Sequence, residues 1–375
     1  MKPLLIALLL STSLFGQRWT EKAANDWYAK QPWLVGPNYV PATAINQLEM
    51  WQKETFDPIW IETEINWAED LGMNTMRVFL HDLLWKQDPD GFQSRINRFL
   101  AICDRHKIKP IFVLFDSVWD PFPQLGSQRQ PRPGVHNSGW VQSPGAAVLP
   151  NAAEYDRLRK YVQEVIGAFR YDRRVLAWDL WNEPDNENNG EYHKLEPARK
   201  NAIVLNLLPK VFEWAHAMEP TQPLTSGLWN GADWSSLDKL TPIQKVQIEQ
   251  SDIISFHSYD KPEEFEKRVK SLRGYHRPIF CTEYMARPRG STFQAILPIA
   301  KQYKVAAINW GFVSGKSQTI FAWDTWEKPS TDPEPKVWFH DIFRKDGTPY
   351  SQQEYDFIKE IVGASKAKKG KAAKK

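Results

Sequence analysis

Two glutamates stand in matching contexts. Residues 175–186 read Val-Leu-Ala-Trp-Asp-Leu-Trp-Asn-Glu-Pro-Asp-Asn, an apolar run that stops at an amide and at Glu183. Residues 278–284 read Pro-Ile-Phe-Cys-Thr-Glu-Tyr and stop at Glu283 in the same way. Two carboxylates brought together divide acid and base work: proximity and burial lift the pKa of one, which keeps a proton, while its partner stays ionised and can attack an electrophile. Taken alone, Glu183 would equally fit a residue lying beside a helix cap at Asp185 or Asn186. The second carboxylate tips the reading toward chemistry.

The elements that must deliver these side chains follow from pattern. Leu176, Trp178 and Leu180 alternate with Ala177 and Trp181, which suits a strand buried on both faces, as in a parallel sheet, with Asp179 as the polar exception. Pro184 lacks an amide hydrogen and should hold Glu183 extended, so this strand is expected to stop near Asn182. Further strands are expected at residues 33–40, 74–80, 109–115, 223–228, 252–258, 278–282 and 305–311. Helical spacing falls between most of them, at 58–71, 93–106, 153–169, 195–218, 262–272 and 293–303, with a lead-in helix at 19–31 and a last one at 351–362. Eight strands joined in this manner predict parallel pairing and a (β/α)8 TIM barrel with long βα loops. Glu183 then ends the fourth strand and Glu283 the seventh, and those ends can converge across the barrel mouth. A spacing of about 5 to 5.5 Å would suit a retaining glycosidase, and roughly 6.5 to 9.5 Å an inverting one.

Four motifs in order carry a resemblance: Trp-Asn-Glu-Pro at 181–184, His-Ser-Tyr at 257–259, Thr-Glu-Tyr at 282–284 and Asn-Trp-Gly at 309–311. Over residues 33–312 the chain resembles clan A glycoside hydrolases, especially family-five cellulases and mannanases. The resemblance implies a retaining mechanism with Glu183 as acid/base and Glu283 as nucleophile. It also implies that Asn182 binds the sugar 2-hydroxyl, that Arg77 and Tyr259 orient Glu283, that His257 lines the site, and that Trp310 forms the floor. One position departs from the pattern: where such enzymes often carry a histidine after the third strand, this chain has Phe115-Asp116-Ser117. Read singly, Arg77 would be a structural ion-pair partner, His257 or Tyr259 a hydrogen-bonded structural residue, and Trp310 core.

Bulk composition narrows the alternatives. The chain has 375 residues, 42% hydrophobic and 25% charged, and 18 tryptophans, whose flat faces suit sugar rings when they stand on loops. Six of the 48 basic residues lie in the last eleven positions, which leaves 42 against 45 acidic residues in the rest and gives no support to a nucleic-acid groove. Residues 364–375 read as a basic disordered tail, and residues 1–16 as a signal peptide, too short to span a bilayer, that would make the protein secreted or periplasmic. Residues 17–363 are expected to form one catalytic domain. Cys103 and Cys281 are the only cysteines, and sequence leaves two buried thiols or a bridge open. The eight histidines show no zinc-hydrolase spacing and no Gly-rich Lys-Ser/Thr loop occurs, so neither metal nor other cofactor is expected. The expected partner is a β-linked polysaccharide or oligosaccharide. The loop at 119–151 and Trp229, Trp323 and Trp326 are candidate subsite walls. A carbohydrate-binding barrel without turnover and a transglycosylase using the same glutamates are the competing readings.

Overall fold

The computed structural model describes residues 17–231 and 233–363; the expected signal segment and basic tail lie outside the described residues. Eight strands form: β1 (Val35–Tyr39), β2 (Thr75–Phe79), β3 (Lys109–Asp116), β4 (Ala177–Asn182), β5 (Leu224–Thr225), β6 (Ile254–His257), β7 (Ile279–Glu283) and β8 (Ala306–Asn309). Their order is β5-β4-β3-β2-β1-β8-β7-β6, and every pairing is parallel. Between β5 and β6 the ring closes through the Leu228 backbone, whose amide donates to Ser255 at 3.0 Å and whose carbonyl accepts from His257 at 2.7 Å. The result is a nearly closed (β/α)8 barrel.

The strands form where the apolar runs predicted them, because a barrel strand is covered on both faces and needs hydrophobic residues throughout. β5 departs from expectation in being only two residues long. After Thr225 the Ser226 amide donates to the Ser251 hydroxyl at 3.2 Å rather than to a neighbouring strand, so the ladder stops. Helix boundaries follow local chemistry. Pro58–Asp70 starts with proline in its first turn and an Asp57 cap whose side chain accepts from the amides of Ile59 and Trp60. The helix expected from residue 195 begins instead at Lys200, after Arg199 adopts a left-handed backbone with φ 62°. A helix at Pro242–Gln250, which periodicity does not reveal, opens with a capping box formed by Thr241 and Gln244.

The amino-terminal end of the barrel is plugged. Leu34, Ile111, Leu176, Ile253, Phe280 and Ala306 pack there against Tyr28 of the helix Glu21–Ala29, with the Tyr28 and Phe280 rings 5.4 Å apart. Polar side chains in the barrel interior gather toward the opposite end, where the strands terminate. Cys103 and Cys281 are buried free thiols. No described helix is long and apolar enough to cross a membrane.

Candidate active site

Arg77, in the middle of β2, is fully buried and organises the carboxyl end of the barrel. Its Nε donates to Asp179 at 2.9 Å, one terminal nitrogen to Asn38 and to Glu283 Oε1 at 2.9 Å each, and the other to Asn182 at 2.6 Å. Burial opposes this charge, but Asp179 and Glu283 more than offset it and raise the pKa of the guanidinium. The polar exception of β4 is thereby explained: Asp179 neutralises Arg77 inside the barrel, and structural pair and functional neighbour are the same residue.

Glu283 ends β7. Arg77 holds its Oε1, and the Tyr259 hydroxyl donates to its Oε2 at 2.7 Å. Glu183 follows β4 and faces it. Asn186 Nδ2 donates to Glu183 Oε2 at 2.6 Å, and His257 Nδ1 lies 2.8 Å from Glu183 Oε1 and 3.5 Å from Glu283 Oε2. One carboxylate oxygen of each glutamate and a ring nitrogen of His257 all lie within 4.8 Å of one another. Such a triad could in principle ligate a cation, yet the Arg77 charge 2.9 Å from Glu283 already occupies that role and would repel one.

The backbone at Glu183 differs from expectation. Its φ is +44°, a left-handed conformation rather than the extended one that Pro184 favours. The cause is the turn that follows, in which the Asn186 amide donates to the Glu183 carbonyl at 2.9 Å, folding the loop so that Asn186 reaches the carboxylate. Strain of about 1–3 kcal/mol is characteristic of such a residue and is tolerated where surrounding contacts fix it.

The two glutamates are electrostatically unequal. Burial lifts the Glu183 pKa to about 7, against a smaller lowering by the Asn186 hydrogen bond. Glu283 is also raised by burial and by Glu183, while His257, Arg77 and Tyr259 pull it back. Burial lowers the His257 pKa to about 4, so its ring is neutral near pH 7 and its Nδ1 can accept a hydrogen bond from the protonated Glu183 carboxyl. His257 Nε2 is buried without a partner among the described residues.

A cavity of about 360 Å³ opens over the pair. Asn182, Glu183, His257, Tyr259, Glu283 and Trp310 line it, whereas Arg77 lies beneath the surface. Trp229 and Trp323 also line it, but Trp326 does not: its ring stacks behind Trp119, centroids 4.8 Å apart, because the loops after β3 and β8 meet there. Sequence reasoning passed over Asp116, at the end of β3. It lines the cavity, accepts from Asn182 Nδ2 at 2.9 Å and Trp140 Nε1 at 2.6 Å, and is lifted to about 7 by burial. Its position, an acid closing an apolar run as Glu183 and Glu283 do, was the available signal. Asn186, Asn137 and Asp260 also line the cavity, and they stand in loops where no periodicity marks them.

No family model matches the sequence. Endo-1,4-beta-xylanase A from Caldicellulosiruptor sp. (strain Rt8B.4) is 36% identical over 69 residues, 18% of this chain, and the match spans only 10% of that protein. Among solved structures, a GH5_18 protein from Streptomyces cattleya in complex with Manb1-4GlcNAc superposes with TM-score 0.60 at 12% identity, covering 88% of this chain and 80% of the other. Exo-beta-1,4-mannosidase Op5Man5 from Opitutaceae bacterium strain TAV5 gives 0.58 at 18% identity, covering 88% and 59%. The endo-beta-1,4-mannanase from Thermotoga petrophila gives 0.55 at 14% identity, covering 90% and 77%. At these identities the likeness is one of fold, and the resemblance carried by the four motifs extends to that architecture.

Proposed function

We propose that the protein is a retaining glycoside hydrolase acting on β-linked glycans or oligosaccharides. The observation that carries this reading is the pair of carboxylates with oxygens within 4.8 Å, in a cavity walled by tryptophans. Carboxylate oxygens that close support direct attack by one carboxylate, as in retaining chemistry, over the wider gap that holds the water of an inverting enzyme.

Glu283 is the nucleophile. Arg77 and Tyr259 each hold one of its oxygens, which fixes its aim at the anomeric carbon. Glu183, with a pKa near 7, carries the proton that passes to the departing glycosidic oxygen as the carbon–oxygen bond breaks and the Glu283 ester forms. The ionised Glu183 then takes a proton from water, the water oxygen bonds to the anomeric carbon, and Glu283 leaves. Asn182, whose amide is held by Arg77 and Asp116, presents its remaining donor to the sugar 2-hydroxyl, and Trp310 supports the sugar face. The apolar leader at residues 1–16 supports export to a periplasmic or extracellular glycan. Neighbours whose names refer to mannan, Manb1-4GlcNAc and xylan support β-linked substrates without choosing among them.

Reducing-sugar release from β-glucans, mannans, xylans and aryl β-glycosides, with Glu283→Ala beside the wild type, tests the reading. Release that vanishes in the variant, with a first-formed product of β configuration by proton NMR, is expected. Binding without release by the folded wild type would favour a carbohydrate-binding barrel.

A further inference from the structure

The lining of the cavity comes from residues that follow β3 to β8, and none comes from the loops after β1 and β2. The segment 117–151 lies across those two loops and is stitched to them. Asn46 donates to the Gly139 carbonyl at 2.9 Å, Gln47 to Val141 at 2.6 Å and Gln52 to Gly126 at 3.0 Å, while the His81 ring bonds Gln142 at 3.0 Å.

The same segment is sewn to the loop after β8. The Asn137 amide donates to Ser317 at 2.8 Å, the Ser330 amide to Gly134 at 3.0 Å, and the His136 ring bonds the Phe321 carbonyl at 2.8 Å. Trp119 and Trp326 stack across this seam at an interplanar angle of 16°, and Tyr192 from the loop after β4 packs edge-on against Trp326 at 5.4 Å. Backbone hydrogen bonds hold the two segments together, and the Trp326 ring, packed by both Trp119 and Tyr192, braces the seam between them.

Asn137 and Trp140 of this segment line the cavity beside Trp310, the ring assigned above to support the reacting sugar. Trp310 packs against Phe79 and Trp140, each 5.9 Å away, and Trp140 is anchored by its bond to Asp116. The opposite end, beyond Glu183, is bordered by the half-buried Trp229 and by Asp260 and Arg268. Glu183 must protonate the departing oxygen, so the leaving part of the substrate extends past Glu183 toward Trp229. A volume of about 360 Å³ is near the lower bound of ligand pockets, which run from about 300 to 1,000 Å³.

We infer that the protein removes one sugar at a time from the non-reducing end of its substrate, the wall formed by the segments after β3 and β8 leaving space for a single unit ahead of the scissile bond. This rests on the hydrolase reading above. The loops after β1 and β2, which would have to accommodate further sugars on that side, are covered by residues 117–151. Trp229 is left to stack against the first sugar of the departing chain.

The experiment compares p-nitrophenyl β-glycosides of glucose, mannose and xylose with the p-nitrophenyl β-1,4-linked disaccharides of the same sugars, using the whole protein and following nitrophenol and free sugars together. Expected are immediate nitrophenol from one monoside, and from the matching bioside monosaccharide first, with nitrophenol after a lag. Immediate nitrophenol from a bioside together with free disaccharide would overturn the inference while upholding the hydrolase. No turnover of any of them by a folded protein that still cleaves β-glucan, mannan or xylan would likewise overturn the inference and uphold the hydrolase, while no turnover of these or of the polysaccharides would overturn the hydrolase reading itself. Trp326→Ala, which withdraws the ring behind Trp119, is expected to bring direct disaccharide release at the expense of the lag; an unchanged product ratio would count against the wall.

Discussion

Replacing Glu183 by glutamine should stabilise the protein, and more so as pH rises. The carboxyl pKa is lifted from 4.5 to about 7 by burial, so the folded state binds the proton more tightly than the unfolded chain does. Stability is therefore undiminished below pH 4.5, falls as pH rises through the window from 4.5 to 7, and stays lower above it. At 1.36 kcal/mol for each pH decade, the penalty above pH 7 is about 3 kcal/mol. Glutamine has no charge to bury and keeps the shape. Its carbonyl can accept from Asn186 and its amide can donate to His257 Nδ1, the two partners of the native side chain. With an unfolding entropy of about 2.1 cal/mol/K per residue over roughly 350 residues, about 3 kcal/mol corresponds to a Tm increase of about 4 to 5 °C at pH 8. Calorimetry or urea titration of both proteins at pH 4, 6 and 8 reads the effect. Nearly coincident stabilities at pH 4 and a gap that opens by pH 8 are expected; parallel curves across the whole range would refute the claim that burial holds the proton on Glu183.

The same residue governs rate. In the wild type kcat/KM should fall with rising pH along a limb near 7, and in Glu183→Gln that limb should vanish while hydrolysis of a poor leaving group drops by about 10²–10⁴ and that of a dinitrophenyl glycoside drops far less. Arg77→Met removes the cation that faces both Asp179 and Glu283, and should cost about 3–5 kcal/mol in urea-measured stability, since it leaves buried carboxylates unpaired; a loss under about 1 kcal/mol would contradict the assigned electrostatics. Gly311→Ala should cost about 2 kcal/mol or more, because φ there is +81° and an added Cβ would meet Asp341 Oδ1 at 2.5 Å and His340 Cβ at 2.7 Å. Near-UV circular dichroism should register the accompanying shift of the adjacent Trp310.

The sequence alone determined the barrel and the two glutamates, for one physical reason. A parallel strand inside a barrel is buried on both faces, so it reads as an unbroken apolar run, and the residue at which the run stops is the one delivered to the mouth. Glu183 and Glu283 are legible on that ground, and Asp116, which ends the apolar run of β3, obeys the same rule. Boundaries were less legible where a side chain competes with the ladder, as Ser251 does at β5.

What only the tertiary structure decided depends on contacts between residues distant in the chain. Arg77 meets Glu283 across 206 residues, and only that meeting shows why a cation belongs inside an apolar strand. The left-handed backbone of Glu183 runs against the local preference set by Pro184, and loop contacts to Asn186 and His257 override it. Burial raises the pKa of both Glu183 and Glu283, and His257, Arg77 and Tyr259 pull Glu283 back, effects that no local pattern measures. Tryptophans are countable from composition, but whether one lines the cavity, as Trp229 and Trp323 do, or braces another ring, as Trp326 does for Trp119, is set by how the loops at the barrel mouth pack together.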